Sequence, residues 1–95
     1  MRAPSTLRLA QAPAVRAQGL AAIQQGAREI DLSDLNDVDS SAVAVLLAWR
    51  RAARAAGTPL ALANPSTSLL SLARLYGVAE LIFSNTQRQS DSTPG

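Results

Sequence analysis

The segment 40–56 constrains this chain more than any other. Asp39, Ser40 and Ser41 stand at its start, and all three are residue types whose side-chain oxygens accept from the free N–H groups of a helix N-terminus. Gly57 follows it as a helix terminator, and Pro59 blocks continuation. At helical spacing, Ala42, Val45, Leu46, Trp49, Ala53 and Ala56 share one broad apolar face, whereas Arg50, Arg51 and Arg54 fall on another. A helix with two such faces must lay the apolar one on a partner layer. That layer is written just upstream: residues 28–33 alternate, with Ile30 and Leu32 on one side and Glu29, Asp31 and Ser33 on the other, as in a half-buried strand. Strand, polar turn at 34–37 and capped helix together make one α/β unit.

The flanking segments repeat the theme. Leu7 and Leu9 bracket Arg8 in a short strand expected over residues 6–10, after a loose start at 1–5. Pro13 suits the first turn of a helix over residues 14–25, with Val15, Leu20 and Ile23 apolar, Gly26 as terminator and Gly19 as an unfavourable interior residue. Residues 60–63 read as a third strand. Asn64, Pro65 and Ser66 open a helix over 67–76, and Leu81, Ile82 and Phe83 form a last apolar patch, either a short strand or a helical turn. Alternating strands and helices predict an α/β fold: a small sheet with covering helices. One domain is expected over residues 1–84, followed by a polar, disordered tail over 85–95.

Composition removes several classes of function. The chain has 95 residues and neither cysteine nor histidine, so it offers no thiolate site, no imidazole ligand and no imidazole base. All nine basic residues are arginine, yet the net charge is only +2 and aromatics are 3% of the chain, a poor match to a nucleic-acid surface. No apolar run approaches the roughly 20 residues of a membrane span. Glycines form no phosphate-binding loop, and no cofactor is expected. Asp31 and Asp39, without His, Cys or Lys beside them, are expected to fix turns rather than transfer protons. Trp49 is expected in the core.

The junction Asp31-Leu32-Ser33, then Val38-Asp39-Ser40-Ser41 and a helix, resembles the signature of STAS domains, which include the anti-anti-sigma factors. Residues 43–53 and 72–82 are similar to the MlaB-like branch, the STAS subunits of Mla-type ABC systems that move phospholipids in Gram-negative bacteria. The resemblance covers residues 6–83. It implies a STAS-like fold and a non-enzymatic accessory subunit that binds the transporter's cytoplasmic ATPase and, through it, the permease. It further implies a cytoplasmic location, peripheral to the inner membrane, without direct membrane insertion. The alternative it carries is a signalling switch phosphorylated at Ser40, the position of the phosphorylated serine in the anti-anti-sigma factors. Two departures stand out. STAS domains often begin with one more strand than is visible here, and Ala42 replaces a glycine of the signalling pattern. Partner contacts are assigned to Asp39, Ser40, Ser41, Val43, Leu47 and Arg51. Val43 and Leu47 share a helical sector with the arginines, which makes them either core or part of a mixed apolar and basic surface.

Overall fold

The computed structural model describes residues 1–83. The expected tail at 85–95 lies outside the described residues. The elements run β1 (Thr6–Leu7), α1 (Ala12–Gln24), β2 (Glu29–Asp31), β3 (Asp37–Val38), α2 (Ser40–Ala56), β4 (Ala61–Ala63), α3 (Thr67–Leu75) and α4 (Ala79–Phe83). The expected α/β architecture is present, with parallel strand pairs and helices packed on them.

Strands β2 and β4 pair in parallel, with Ile30 opposite Leu62, and β1 pairs in parallel with β3, with Leu7 opposite Val38. The N-terminal residues join the two pairs. Asp31 N donates to Met1 O at 2.8 Å and Ala3 N donates to Asp31 O at 2.9 Å, making a parallel bridge between Arg2 and Asp31. Residues 1–7 therefore run first along β2 and then along β3. The loose start expected there is corrected: Ala3 is buried, and the backbone of Met1 and Ala3 is used by the edge of β2. The expected strand at 6–10 shrinks to two residues, because the chain turns at Arg8 and Gln11 N and Ala12 N both donate to Arg8 O. Leu7 is fully buried, while Leu9 points outward.

The largest fully buried side chains are Trp49, Leu7, Ile30, Leu32, Leu35, Leu46, Leu69 and Ile82. Burying a leucine- or isoleucine-sized side chain contributes about 1.5–3 kcal/mol, so this cluster supplies most of the driving force. Trp49 lies in the core as expected, against α1, and its indole N–H donates to Arg16 O at 3.1 Å. This contact explains Gly19. A Cβ placed there would lie 2.0 Å from the Trp49 ring, so the glycine that weakens α1 locally is what lets the two helices approach.

Helix α2 has the expected bounds. Asp39 caps its start, and Gly57, at φ 68°, ends it in the left-handed conformation, with Thr58 N donating to Ala53 O at 2.9 Å. The arginine face of α2 divides. Arg51 and Arg54 are exposed, but Arg50 is half-buried and donates from Nε to Ile82 O at 2.6 Å and from Nη1 to Leu60 O. It thereby holds α4 and the chain entering β4 against α2. The last apolar patch is the helical turn α4, with Ile82 buried and Leu81 exposed.

Candidate functional site

The junction between β2 and α2 is built from short-range hydrogen bonds that the sequence makes available. Leu32 and Leu35 anchor the turn in the core, and Leu35 N donates to Leu32 O at 3.0 Å. Asp31 closes its near side: its carboxylate accepts from Ser33 N at 3.0 Å and from Asn64 Nδ2 at 3.4 Å, with Arg2 at 3.5 Å. The Ser33 N–H is the main reason its pKa lies below the usual aspartate value. Asp31 thus fixes a turn, as expected. Arg2 also pairs with Asp34 at 2.9 Å.

Downstream, Asp37 N donates to Ser5 O at 3.1 Å and starts β3, and the Asp37 carboxylate pairs with Arg8 at 2.9 Å. The sequence shows only a turn at 34–37; β3 exists because β1 lies beside it. Asp39 then does two things at once. One carboxylate oxygen accepts from Ser41 N at 2.8 Å, capping α2, and the other accepts from Leu9 N at 3.1 Å. Burial is the largest single influence on this carboxyl and raises its pKa, but the backbone N–H groups of Ser41 and Leu9, joined by the Ser41 side chain and the charge of Arg8, outweigh it and hold the pKa below the usual aspartate value. Asp31 and Asp39 share no hydrogen-bonding partner among the described residues, and each carboxylate is engaged with a backbone N–H group of its own turn. Among the described residues, no group of carboxylates is arranged to hold a metal ion.

Ser40, the first residue of α2, is exposed, and no described residue hydrogen-bonds its hydroxyl. Ser41 is half-buried beneath it. Of the expected contact residues further along, Leu47 is half-buried and packs on the core edge, and Arg51 is exposed. Val43 departs from the expected patch: at 6% exposure it belongs to the core, and its methyls are not offered to a partner. Its place on the outer face falls to Ala44, which is exposed and which the sequence reading missed. Ser40, Ala44, Leu47 and Arg51 stand at i, i+4, i+7 and i+11, one stripe about 16 Å long at 1.5 Å per residue. Ala42 is fully buried, so the methyl that replaces glycine there lies in the core and leaves the outer surface unchanged.

A shallow, open groove of about 340 Å³ lies beside the junction, between β3 and α3. Val38 and Leu72 contribute its apolar lining, and Ser68 and Ser71 its polar side. Ser66 sets the distance between the two walls. Its hydroxyl caps α3 by accepting from Leu69 N at 3.2 Å and donates to Leu35 O at 2.6 Å, tying α3 to the turn.

No curated protein matches the chain. A family model described as Mlab, STAS domain matches residues 1–83, which includes both strand pairs, every helix described above and the whole Asp31–Ser41 junction. The chain belongs to the STAS domain family.

Proposed function

We propose that this STAS domain is a non-enzymatic accessory subunit of a Gram-negative, Mla-type phospholipid ABC transporter. It docks on the cytoplasmic ATPase and is held at the inner membrane only through that complex. The observation that carries the reading is the Ser40 hydroxyl: exposed, without a partner among the described residues, and fixed in position by the Asp39 cap. A hydroxyl at a preorganised helix start meets another surface without first losing conformational freedom. The stripe from Ser40 through Leu47 to Arg51 adds an apolar and a cationic group beside it, a composition found at interfaces. The family match and the similarity of residues 43–53 and 72–82 to MlaB-like proteins support the same assignment. No described helix is long and apolar enough to cross a membrane, consistent with attachment through a partner.

In this reading the subunit acts by binding one conformation of the ATPase better than another, because only differential affinity shifts such an equilibrium. Ser40→Arg places a bulky charge at the centre of the contact on an exposed site. The variant is expected to keep its fold by circular dichroism and to lose co-purification with the ATPase. Full-yield co-purification overturns the docking assignment.

The same exposed hydroxyl favours a second reading, an anti-anti-sigma-type switch controlled by phosphorylation of Ser40. A phosphate there would meet the positive end of α2 but also the carboxylate of Asp39. Intact-mass measurement after incubation with a cognate serine kinase and ATP separates the readings: one added phosphate on Ser40 supports the switch.

A further inference from the structure

The charges of this domain are segregated. Helices α1 to α4 carry the arginines Arg16, Arg50, Arg51, Arg54 and Arg74 against a single carboxylate, Glu80. Glu29, Asp31, Asp34, Asp37 and Asp39 all lie in the 29–39 segment. The ion pairs among the described residues use only Arg2 and Arg8, both with that segment. The helical layer is therefore cationic and is not neutralised from within.

Helix α2 carries the densest part of this charge. Arg51 and Arg54 are exposed, one turn apart, and neither has an ion-pair or hydrogen-bonding partner among the described residues. Like charges at this spacing repel, and a carboxylate three or four positions away would offset the repulsion. Leu47, Ala48, Ala55, Gly57 and Thr58 occupy those positions instead. Burial is the main reason the Arg50 pKa lies below the usual arginine value, and the charge of Arg54 lowers it further. The helix dipole accounts for a cation in the last turn, where Arg54 stands, but not for Arg51. Arg51 ends the stripe that begins at Ser40, and Arg54 extends it by one turn. The acidic groups at the helix start lie about 18 Å away along the axis. They are already engaged, Asp37 by Arg8 and Asp39 by backbone N–H groups.

We infer that Arg51 and Arg54 form a cationic docking site for carboxylates of the ATPase subunit, an inference that rests on the proposed ATPase partnership and names the chemistry of the contact. Charge complementarity selects an acidic surface. The make-up of α1 and α2 selects a protein over other polyanions. Among the described residues the large apolar side chains exposed to solvent are Met1, Leu9, Leu75, Tyr76 and Leu81, and none of them lies on α1 or α2 to enter a lipid layer. Trp49, the one aromatic residue of these two helices, is buried and offers no face to a nucleic-acid base. Ala44, Ala48 and Ala55 beside the arginines are small and at least partly exposed, so a protein surface can approach α2 closely while the planar guanidinium groups pair with carboxylates.

The test measures binding of the purified ATPase subunit of the same transporter to the full chain, by biolayer interferometry at low and high salt, for wild type, the double variant Arg51→Gln with Arg54→Gln, and Arg16→Gln. Arg16 is an exposed arginine on α1 and serves as the control. At low salt the double variant is expected to bind about tenfold more weakly with an unchanged thermal midpoint, and Arg16→Gln to bind like wild type. Raising the salt is expected to weaken wild-type binding, and to weaken that of the double variant less. If the double variant binds like wild type, or if Arg16→Gln weakens binding equally, the α2 site is overturned while the partnership stands. Sedimentation with phosphatidylglycerol vesicles covers the other anionic surface. The wild-type chain is expected to stay in solution, and pelleting that depends on Arg51 and Arg54 without the ATPase would overturn the choice of protein carboxylates. If the wild-type chain itself does not bind the ATPase, the partnership fails and the inference with it.

Discussion

Helix α2 meets different surroundings at its middle and at its start. At the middle, Trp49 is fully buried against α1, with its single polar atom satisfied by Arg16 O and its ring against Gly19. At the start, Asp39 satisfies backbone groups on either side of itself, while the Ser40 hydroxyl is left to solvent. The middle is specified by shape and tolerates no added atom. The start is specified by hydrogen bonds and holds its backbone firmly while leaving its outer surface free. One helix can therefore supply stability and presentation together, because the two demands fall on different turns. The separation predicts that substitutions at the middle change folding and leave the surface chemistry intact, and that substitutions at the start do the reverse.

The largest effect is expected from Gly19→Ala. In a helix interior alanine is ordinarily favoured over glycine by about 1 kcal/mol. Here the added methyl overlaps a buried indole ring that has nowhere to move, and overpacking of this kind costs about 3 kcal/mol or more. For a domain of this size that lowers the thermal midpoint by roughly 15 °C. Pairing it with Trp49→Leu should restore part of the loss, because the second change removes the ring atoms that clash. A double-mutant cycle by thermal denaturation checks this: additive losses would mean that the Gly19–Trp49 contact is not what makes the glycine necessary.

An intermediate effect is expected from Arg50→Met. The methionine keeps much of the apolar stem but removes the donors to Ile82 O and Leu60 O. Leaving such carbonyls unsatisfied costs about 1–3 kcal/mol. Hydrogen exchange should quicken in α4 and β4 before it does so in α1, because Arg50 ties α4 and the residue preceding β4 to α2. Arg51→Met, one residue on and exposed, should change stability little and so sharpens the contrast between neighbouring arginines.

These cases also show where the sequence was legible. The bounds of α2 could be read because both of its stops, Asp39 and Gly57, are local. Ser40, Leu47 and Arg51 follow from helical spacing, and all three remain on or at the edge of the outer face. What stayed hidden depended on distant residues. Strand β3 is two residues long and exists only beside β1. Gly19 reads as a weakness in α1 because the ring it accommodates is thirty positions away. Arg50 reads as surface because its acceptors are main-chain carbonyls, which carry no sequence signal. Val43 and Ala44 exchange roles because adjacent helical residues differ by 100° in direction, and the packing of α3 and the strands decides which one faces out. Leu9 reads as the partner of Leu7 in an alternating strand, but the turn at Arg8 reverses its side.

The smallest effect, and the most specific to the start of α2, concerns Asp39. Its pKa is depressed in the folded protein, so its contribution to stability is present above the unfolded aspartate value, about 3.9, and is lost as pH falls through the lower folded value. Asp31 is depressed as well and adds acid sensitivity of the same sign. Asp39→Asn keeps an oxygen that can accept from Ser41 N, but its amide nitrogen cannot accept from Leu9 N. The variant should therefore retain α2 with a small drop in thermal midpoint at neutral pH and lose less additional stability on acidification than wild type. It should also release the turn bearing Leu9, seen as faster exchange of the Leu9 amide. An Asp39→Asn variant with wild-type acid sensitivity and a protected Leu9 amide would show that the carboxylate is only a helix cap. The coupling between the start of α2 and the turn after β1 would then have to reside elsewhere, leaving the backbone bond from Asp39 N to Leu7 O at 3.4 Å as the remaining link.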